Sequence, residues 1–348
     1  MFHELTVSDV RHDTPDSVAV SFDVPENLAQ AFAWKPGQYL TLRAEVAGED
    51  ARRSYSIASA PGKPLTVGVK HVEGGLFSTF CQGLAPGQVI RVMPPEGRFV
   101  PAEEERIVLI AAGSGITPMV SIAAERLAAG AEVTLIYGNR DSAHIMFREE
   151  LEALKDRYVD RFTLVHVLSR EPQDVELLNG RITGERVVRL ANAGAVDIAG
   201  ADGIFLCGPG GMIDDVAEAL TGKGVPAERI HFERFFTEGE GPRPARSEAA
   251  DAAAEKGVQV EVVLDGARRA FNVTAEDDTV LEAAERQGLE LPYSCRGGMC
   301  CTCRCKVEEG AAEMAVNYSL EPWEVEAGFV LACQSRPTSE KLVLDFDA

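Results

Sequence analysis

Positive charge is scarce in this chain of 348 residues: 34 Lys and Arg stand against 55 Asp and Glu, a formal net charge of −21. Such a surface repels polyanions, so nucleic acid is not an expected partner. Cysteine is thin as well, eight in all, and these crowd together rather than spreading as staples. That argues against a secreted disulfide framework and for metal ligation in a reducing compartment. No apolar run opens the chain, since Met1-Phe-His-Glu-Leu carries charge at once, and no signal peptide is expected. The uncharged stretch 107–124 is interrupted by Gly113-Ser-Gly115-Ile-Thr-Pro118, which favours a buried strand, a tight turn and a helix over a membrane span. Repeats are absent. A cytoplasmic protein with no membrane partner is expected. What is plentiful is hydrophobic content, at 45%, enough for real cores in two or three domains.

The first hundred residues read as short alternating strands, among them Ser17–Phe22, Gln38–Arg43 and Leu65–Lys70, separated by Pro-Gly turns. This is the pattern of an antiparallel β-barrel, assigned to 1–102. From Arg106 strands alternate with helices: strands at Ile107–Ala112, Glu132–Tyr137, Phe162–Leu168, Gly203–Cys207 and Arg229–Glu233, and helices to Ala129, from about His144 to Arg157, near Gly184–Ala193 and from about Met212. That rhythm predicts a parallel sheet covered on both faces, an α/β nucleotide-binding domain at 103–236. Residues 237–256, rich in Glu, Gly, Pro and Ala, read as a linker that would span roughly 25 Å if flexible. Residues 257–348 read as a small α+β domain, with a helix at Val280–Gln287 and a final strand at Leu342–Phe346. That domain has 17 acidic and 8 basic residues. The excess either serves solubility alone or steers the domain towards a basic patch on a redox partner.

Cys295, Cys300, Cys303 and Cys333 carry the sharpest signal. The first three read C-x₄-C-x₂-C with a lone fourth far downstream, the plant-type spacing for a [2Fe–2S] cluster. Thiolates are soft donors suited to iron. A structural zinc site is the rival, but zinc usually takes two short C-x₂-C pairs and one is present.

Further motifs are weaker singly. Gly113, Gly115 and Thr117, with Pro118, lie between a strand and a helix, where backbone approaches a pyrophosphate closely. After the second parallel strand, Arg140 would pair with an adenosine 2′-phosphate, whereas Asp141 would take a ribose hydroxyl; an exposed turn doing neither is the third reading. The expected donor is NADPH, with NADH as the alternative. Cys207, Gly208 and Pro209 end the later strand and should face the cofactor, unless Cys207 is simply a buried strand-end thiol. Arg53, Ser54, Tyr55 and Ser56 offer a guanidinium, a flat ring and hydroxyls, a flavin site or merely a polar strand face. Lys70 precedes a second glycine-rich turn, Gly74, Gly75, Leu76, Phe77 and Ser78, suited to a diphosphate.

In this order the motifs resemble the ferredoxin–NADP reductase superfamily with a plant-type ferredoxin fused at the C-terminus. The likeness covers all but the linker. Within it, Tyr137-Gly-Asn-Arg140, Asn317–Pro322, Phe329–Ser335 and the ending Val343–Ala348 most resemble the reductase subunits of phenylacetyl-CoA epoxidases, with ketosteroid 9α-hydroxylase reductases next. The resemblance implies FAD in the barrel, with Arg53 on its phosphates, Tyr55 stacked on the isoalloxazine, Ser56 near N5 and the 74–78 turn at the pyrophosphate. It implies Thr117 and Cys207 at the nicotinamide and Glu233 near the flavin. Two thiols, Cys301 and Cys305, depart from the family pattern. The implied activity is that of the electron-transfer reductase of a multicomponent oxygenase, passing electrons from NADPH through FAD and the cluster to a catalytic component, a di-iron protein. Reductases of Rieske-type hydroxylases and general NAD(P)H oxidoreductases are the alternatives.

Overall fold

The computed structural model describes residues 2–235 and 244–348. Its first sheet is antiparallel, built from β1 (His3–Thr14), β2 (Ser17–Asp23), β3 (Tyr39–Val46), β4 (Glu49–Ser56), β5 (Leu65–Lys70) and β6 (Val89–Val92), with helix α1 (Leu76–Gln82) between the last two. A two-residue turn, Ala47-Gly48 with φ of 52° and 84°, joins β3 to β4, because positive φ matches the twist of the paired strands. The strand order is β4-β3-β6-β1-β2-β5, and a bridge from Ile57 to Val67 ties its ends together. The sheet therefore closes into the expected barrel. Inward residues Leu5, Val18, Val20, Leu40, Leu42, Val67 and Val69 fill it.

The second sheet contains β7 (Arg106–Ala112), α2 (Ile116–Ala129), β8 (Glu132–Asn139), α3 (Arg148–Arg157), β9 (Phe162–Leu168), α4 (Gly184–Asn192), β10 (Gly203–Gly208), α5 (Gly210–Gly222) and β11 (Ile230–Arg234). The strands are parallel in the order β11-β10-β7-β8-β9. Its interior strands are nearly continuous apolar runs, as burial of both faces demands. The expected division at 102/103 falls between the two sheets. One helix starts later than expected: Phe147 sits at φ 55°, its N–H bonded to Asp13 Oδ2 at 2.8 Å, and α3 begins only after it.

The chain divides after Phe235 into two compact units. Beyond the division lie α6 (Glu248–Lys256), β12 (Val258–Leu264), β13 (Ala267–Val273), α7 (Val280–Arg286), β14 (Arg304–Glu309), β15 (Ala312–Met314), α8 (Pro322–Glu326), β16 (Phe329–Leu331), β17 (Ser335–Pro337) and β18 (Lys341–Asp345). The main sheet runs β13-β12-β18-β14-β16. Its central pair, β12 with β18, is parallel, and α7 buries Val280, Leu281, Ala283 and Ala284. The expected linker needs correction at its C-terminal half, which is helix α6. Ser247 Oγ caps it by accepting the Ala250 N–H at 3.2 Å, and Ala250, Ala253 and Ala254 are buried. A small-residue face packs without any large apolar side chain, which hid it in the sequence. The rest of that linker is mostly outside the described residues.

Candidate functional site

In a doubly wound sheet ligands sit beyond the carboxyl ends of the strands where the order reverses. Here that place lies between β7 and β10. Gly113, at φ 56°, starts the turn after β7, and the buried Tyr137 hydroxyl holds it by donating to Gly113 O at 3.0 Å. Thr117 Oγ1 donates to Ser114 O at 2.9 Å. A Cβ on Gly115 would lie 2.1 Å from Cys207 O, so only glycine lets the two turns touch. The Gly113–Thr117 turn and Cys207-Gly208-Pro209 thus form one cradle. Pro209 precedes α5 as its capping residue.

The barrel supplies the facing wall. Ser56, the buried last residue of β4, donates from Oγ to Glu233 Oε2 at 3.1 Å. Glu233 is paired with Cys207 across β10 and β11. Burial, then the Glu233 carboxylate, push the Cys207 thiol well above its ordinary pKa. Ser56, Cys207 and Glu233, three residues far apart in sequence, are brought together. Gly68 of β5 permits close approach too, because a Cβ there would lie 2.6 Å from Thr117 Cγ2.

Next to Ser56, Ser54 pairs with Thr41 across the sheet, and Arg53 Nη1 donates to Arg52 O at 2.8 Å. The Tyr55 ring is half-buried, 6.1 Å from Phe77 and tilted by 35°. Its hydroxyl bonds the Cys81 thiol, which burial pushes up to about 12. In the second glycine turn Gly74 has φ 74° with open space where a Cβ would stand. Ser78 Oγ accepts the Val72 N–H and donates to Gly75 O, both at 3.1 Å. Ser78 therefore shapes the turn with its side chain. Phe77 is buried in the barrel core and Leu76 packs against it, so both reach a ligand through backbone. A guanidinium, a half-covered aromatic face, a hydroxyl–carboxylate pair and an open glycine turn fit an FAD.

Arg140 has a protein partner that no sequence pattern announces. Its Nη2 lies 2.5 Å from Asp16 Oδ2, in the β1–β2 turn, and Lys70 Nζ lies 3.9 Å from the same oxygen. Burial lowers the Lys70 pKa. Asp141 is held by His144 Nδ1 at 2.5 Å. The carboxyl end of β9 adds Ser169, whose Oγ donates to Asn139 O at 3.2 Å, and the exposed Arg170, whose backbone N–H bonds Arg140 O at 2.7 Å. Ser-Arg directly after a parallel strand was the available signal.

In the second unit the four spaced thiols meet in two pairs. Cys295 bonds Cys300 and is held below the ordinary thiol range by it; Cys333 stands likewise to Cys303. The donors Cys300 and Cys303 are pushed up. Among the described residues no three His, Cys, Asp or Glu side chains converge on a single ion. Two thiol pairs suit the two irons of a [2Fe–2S] cluster, with two thiolates for each. The loop reaches this shape with Arg296, Gly298 and Cys301 at φ of 52°, 75° and 58°. Gly297 N–H and Gln334 Nε2 approach Cys295 and Cys333 Sγ at 3.3 and 3.5 Å. Cys301 points elsewhere, to Ser319 O at 3.5 Å, and Cys305 is buried near Val330 O. Among the described residues no helix is long and apolar enough to cross a membrane.

Family models match at three places: an oxidoreductase FAD-binding domain at 4–100, an oxidoreductase NAD-binding domain at 109–218 and a 2Fe-2S iron-sulfur cluster binding domain at 262–338. The chain is 44% identical to a component of the 1,2-phenylacetyl-CoA epoxidase of Escherichia coli, covering 100% of this chain and 98% of that protein. It is 37% identical to the ferredoxin reductase component of 3-ketosteroid-9-alpha-monooxygenase from Rhodococcus rhodochrous, covering 98% and 96%. Among solved structures, phthalate dioxygenase reductase shares the fold, with a TM-score of 0.57 and 22% identity over 99% of this chain and 98% of that one. The chain belongs to the family of NAD(P)H-dependent reductase components of oxygenases that carry FAD and a [2Fe–2S] cluster.

Proposed function

We propose that this reductase serves a phenylacetyl-CoA epoxidase, taking electrons from NADPH and delivering them to a di-iron oxygenase component in the cytoplasm. The observation that carries the reading is the full-length 44% identity to the epoxidase component of Escherichia coli. Cysteines that crowd at cluster-ligand spacing rather than spreading as staples support a reducing compartment. FAD held here would supply hydride acceptance and one-electron release, and a [2Fe–2S] cluster on the paired thiols would supply one-electron relay.

The chain's own residues bind, orient and manage protons. Tyr55 would cover one face of a flavin ring, Arg53 would neutralise its phosphates, and the open turn at Gly74 would admit the pyrophosphate. The Gly113–Thr117 turn and the 207–209 turn seat the nicotinamide ribose and ring. Cys207 stays a neutral thiol at pH 7, because its pKa is raised, and so puts no negative charge beside the hydride donor. Ser56 Oγ, bonded to the half-buried Glu233, would pass a proton between a bound ring and solvent. A 2′-phosphate meets Arg170 and Ser169, with Arg140 once it leaves Asp16. Arg140→Ala is expected to raise the KM for NADPH about tenfold and that for NADH far less; equal effects would remove the 2′-phosphate role. The test of function is NADPH-driven oxygenation by purified partners. Epoxide formation with the phenylacetyl-CoA oxygenase is expected, whereas turnover with a Rieske oxygenase alone would reject the assignment.

A further inference from the structure

Large exposed apolar side chains are few among the described residues, and most stand singly. Three of them fall within eight residues: Trp323 at 60%, Tyr318 at 44% and Val325 at 44% exposure. Trp323 is one of two tryptophans in the chain. Isolated exposed leucines or valines need no explanation, but two exposed aromatics on one short surface segment do.

This segment is tied to the cluster loop from both ends. At one end Tyr318 N–H and Ser319 Oγ both donate to Gly298 O at 3.1 Å, within the loop between Cys295 and Cys300. At the other, Glu324 accepts from Arg304 Nε at 2.8 Å, and Arg304 directly follows Cys303. The Glu324 side chain is fully buried, and the Arg304 guanidinium lies 3.4 Å above the Phe329 ring.

The segment is also held stiffly. Asn317 Oδ1 accepts the Ser319 and Leu320 N–H groups at 3.2 and 2.8 Å, and its Nδ2 donates to Leu320 O at 3.0 Å. Glu324 Oε2 accepts the Glu321 N–H at 3.1 Å, and Pro322 opens α8. A buried ion pair, a side-chain-capped turn and a proline together fix a helical turn whose Trp323 packs on little of its own chain. Rigid, exposed Trp and Tyr are the usual anchors of protein interfaces, since they bury much area at small entropic cost. Glu321 and Glu326 are exposed beside Trp323, and residues 307–335 contain six Glu and no Lys or Arg.

We propose that Tyr318–Glu326 is the surface on which the electron-accepting oxygenase component docks, with Trp323 as its anchor. The partner surface is an apolar pocket edged by Lys and Arg. Charge steers the encounter and the tryptophan sets the residence time. This deepens the reading of the chain as an oxygenase reductase. The acceptor in the test is whichever oxygenase component the full-length enzyme drives, so failure of the phenylacetyl-CoA assignment leaves the docking claim testable.

The experiment compares wild type with Trp323→Ala and Trp323→Phe, each loaded with flavin and cluster. Three quantities are read: cluster bleaching by NADPH in anaerobic stopped flow, ferricyanide reduction, and the KM for the oxygenase component at two ionic strengths. Expected for Trp323→Ala is a KM for the oxygenase raised about tenfold or more, with bleaching and ferricyanide rates within twofold of wild type. Trp323→Phe should recover most of the affinity. Glu321→Gln with Glu326→Gln should flatten the salt dependence. An unchanged oxygenase KM in Trp323→Ala would overturn the proposal. So would slowed bleaching, which would assign this face to the chain's own flavin unit. If the alanine variant loses its cluster, Val325→Ser replaces it under the same criteria.

Discussion

At the residue scale, the chemistry rests on a few side chains whose surroundings fix their protonation. Cys207 and Cys81 are both lifted by burial and remain inert thiols near pH 7. The Cys300 and Cys303 thiols draw the Cys295 and Cys333 pKa values down, the direction that favours the thiolate a metal takes. Cys300→Ser is therefore expected to abolish the visible absorption of the cluster while leaving NADPH-to-ferricyanide activity within twofold, since the flavin unit contains none of these thiols. Loss of both activities would contradict the order of electron flow. Cys295, Cys300, Cys303 and Cys333 were picked out as candidate ligands by spacing alone, and the structure brings them together in two pairs. Asp16 as the partner of Arg140 was not legible in the sequence, because an Asp in a β-hairpin 124 residues away leaves no local pattern.

At the element scale, two contacts between elements are open to test. The turn after β7 touches the end of β10 only because residue 115 has no side chain. Gly115→Ala places a Cβ 2.1 Å from a backbone oxygen, which cannot move as a flexible side chain would. It should cost about 1–3 kcal/mol in stability and weaken nucleotide binding, read by urea unfolding and by NADPH titration. In the second unit Asp277 caps the turn before α7, accepting from Thr274 N and Oγ1 and from Arg286 Nε and Nη2 at 2.6–3.0 Å. Burial raises its pKa, but the Arg286 and Thr274 hydrogen bonds and the Arg286 charge outweigh it, so the net shift is downward. A carboxyl lowered on folding stabilises above its unfolded value of 3.8 and loses that contribution as pH falls through the lower folded value. Asp277→Asn should thus destabilise this unit at pH 7, by about 2 kcal/mol. The difference from wild type should shrink below about pH 4, which urea midpoints followed by far-UV circular dichroism would check. A difference that stays constant with pH would reject the ionic role.

At the scale of the whole molecule, the two units have separate cores. The first unit is filled by the barrel and the two faces of the parallel sheet, the second by its own cluster around Val260, Leu281, Leu331 and Leu344. Each should fold alone. A chain of residues 1–235 is expected to keep flavin and NADPH-to-ferricyanide activity, and residues 244–348 to assemble the iron–sulfur chromophore. Neither piece should support an oxygenase by itself. A first unit that fails to retain flavin would show that its barrel depends on the second unit.

The sequence by itself determined the order of modules, the strand periodicities, the glycine turns and the spacing of the four candidate cluster thiols, because each is written locally along the chain. Helix α6 escaped, since its buried face is alanine and carries no hydrophobic contrast. Only the tertiary structure decided that Ser56, Cys207 and Glu233 share one site, that Asp16 engages Arg140, and that Trp323 is exposed on a braced turn beside the cluster loop. Those outcomes depend on which sheet edges close and which strand ends meet, and packing over the whole chain sets them where no run of neighbouring residues can.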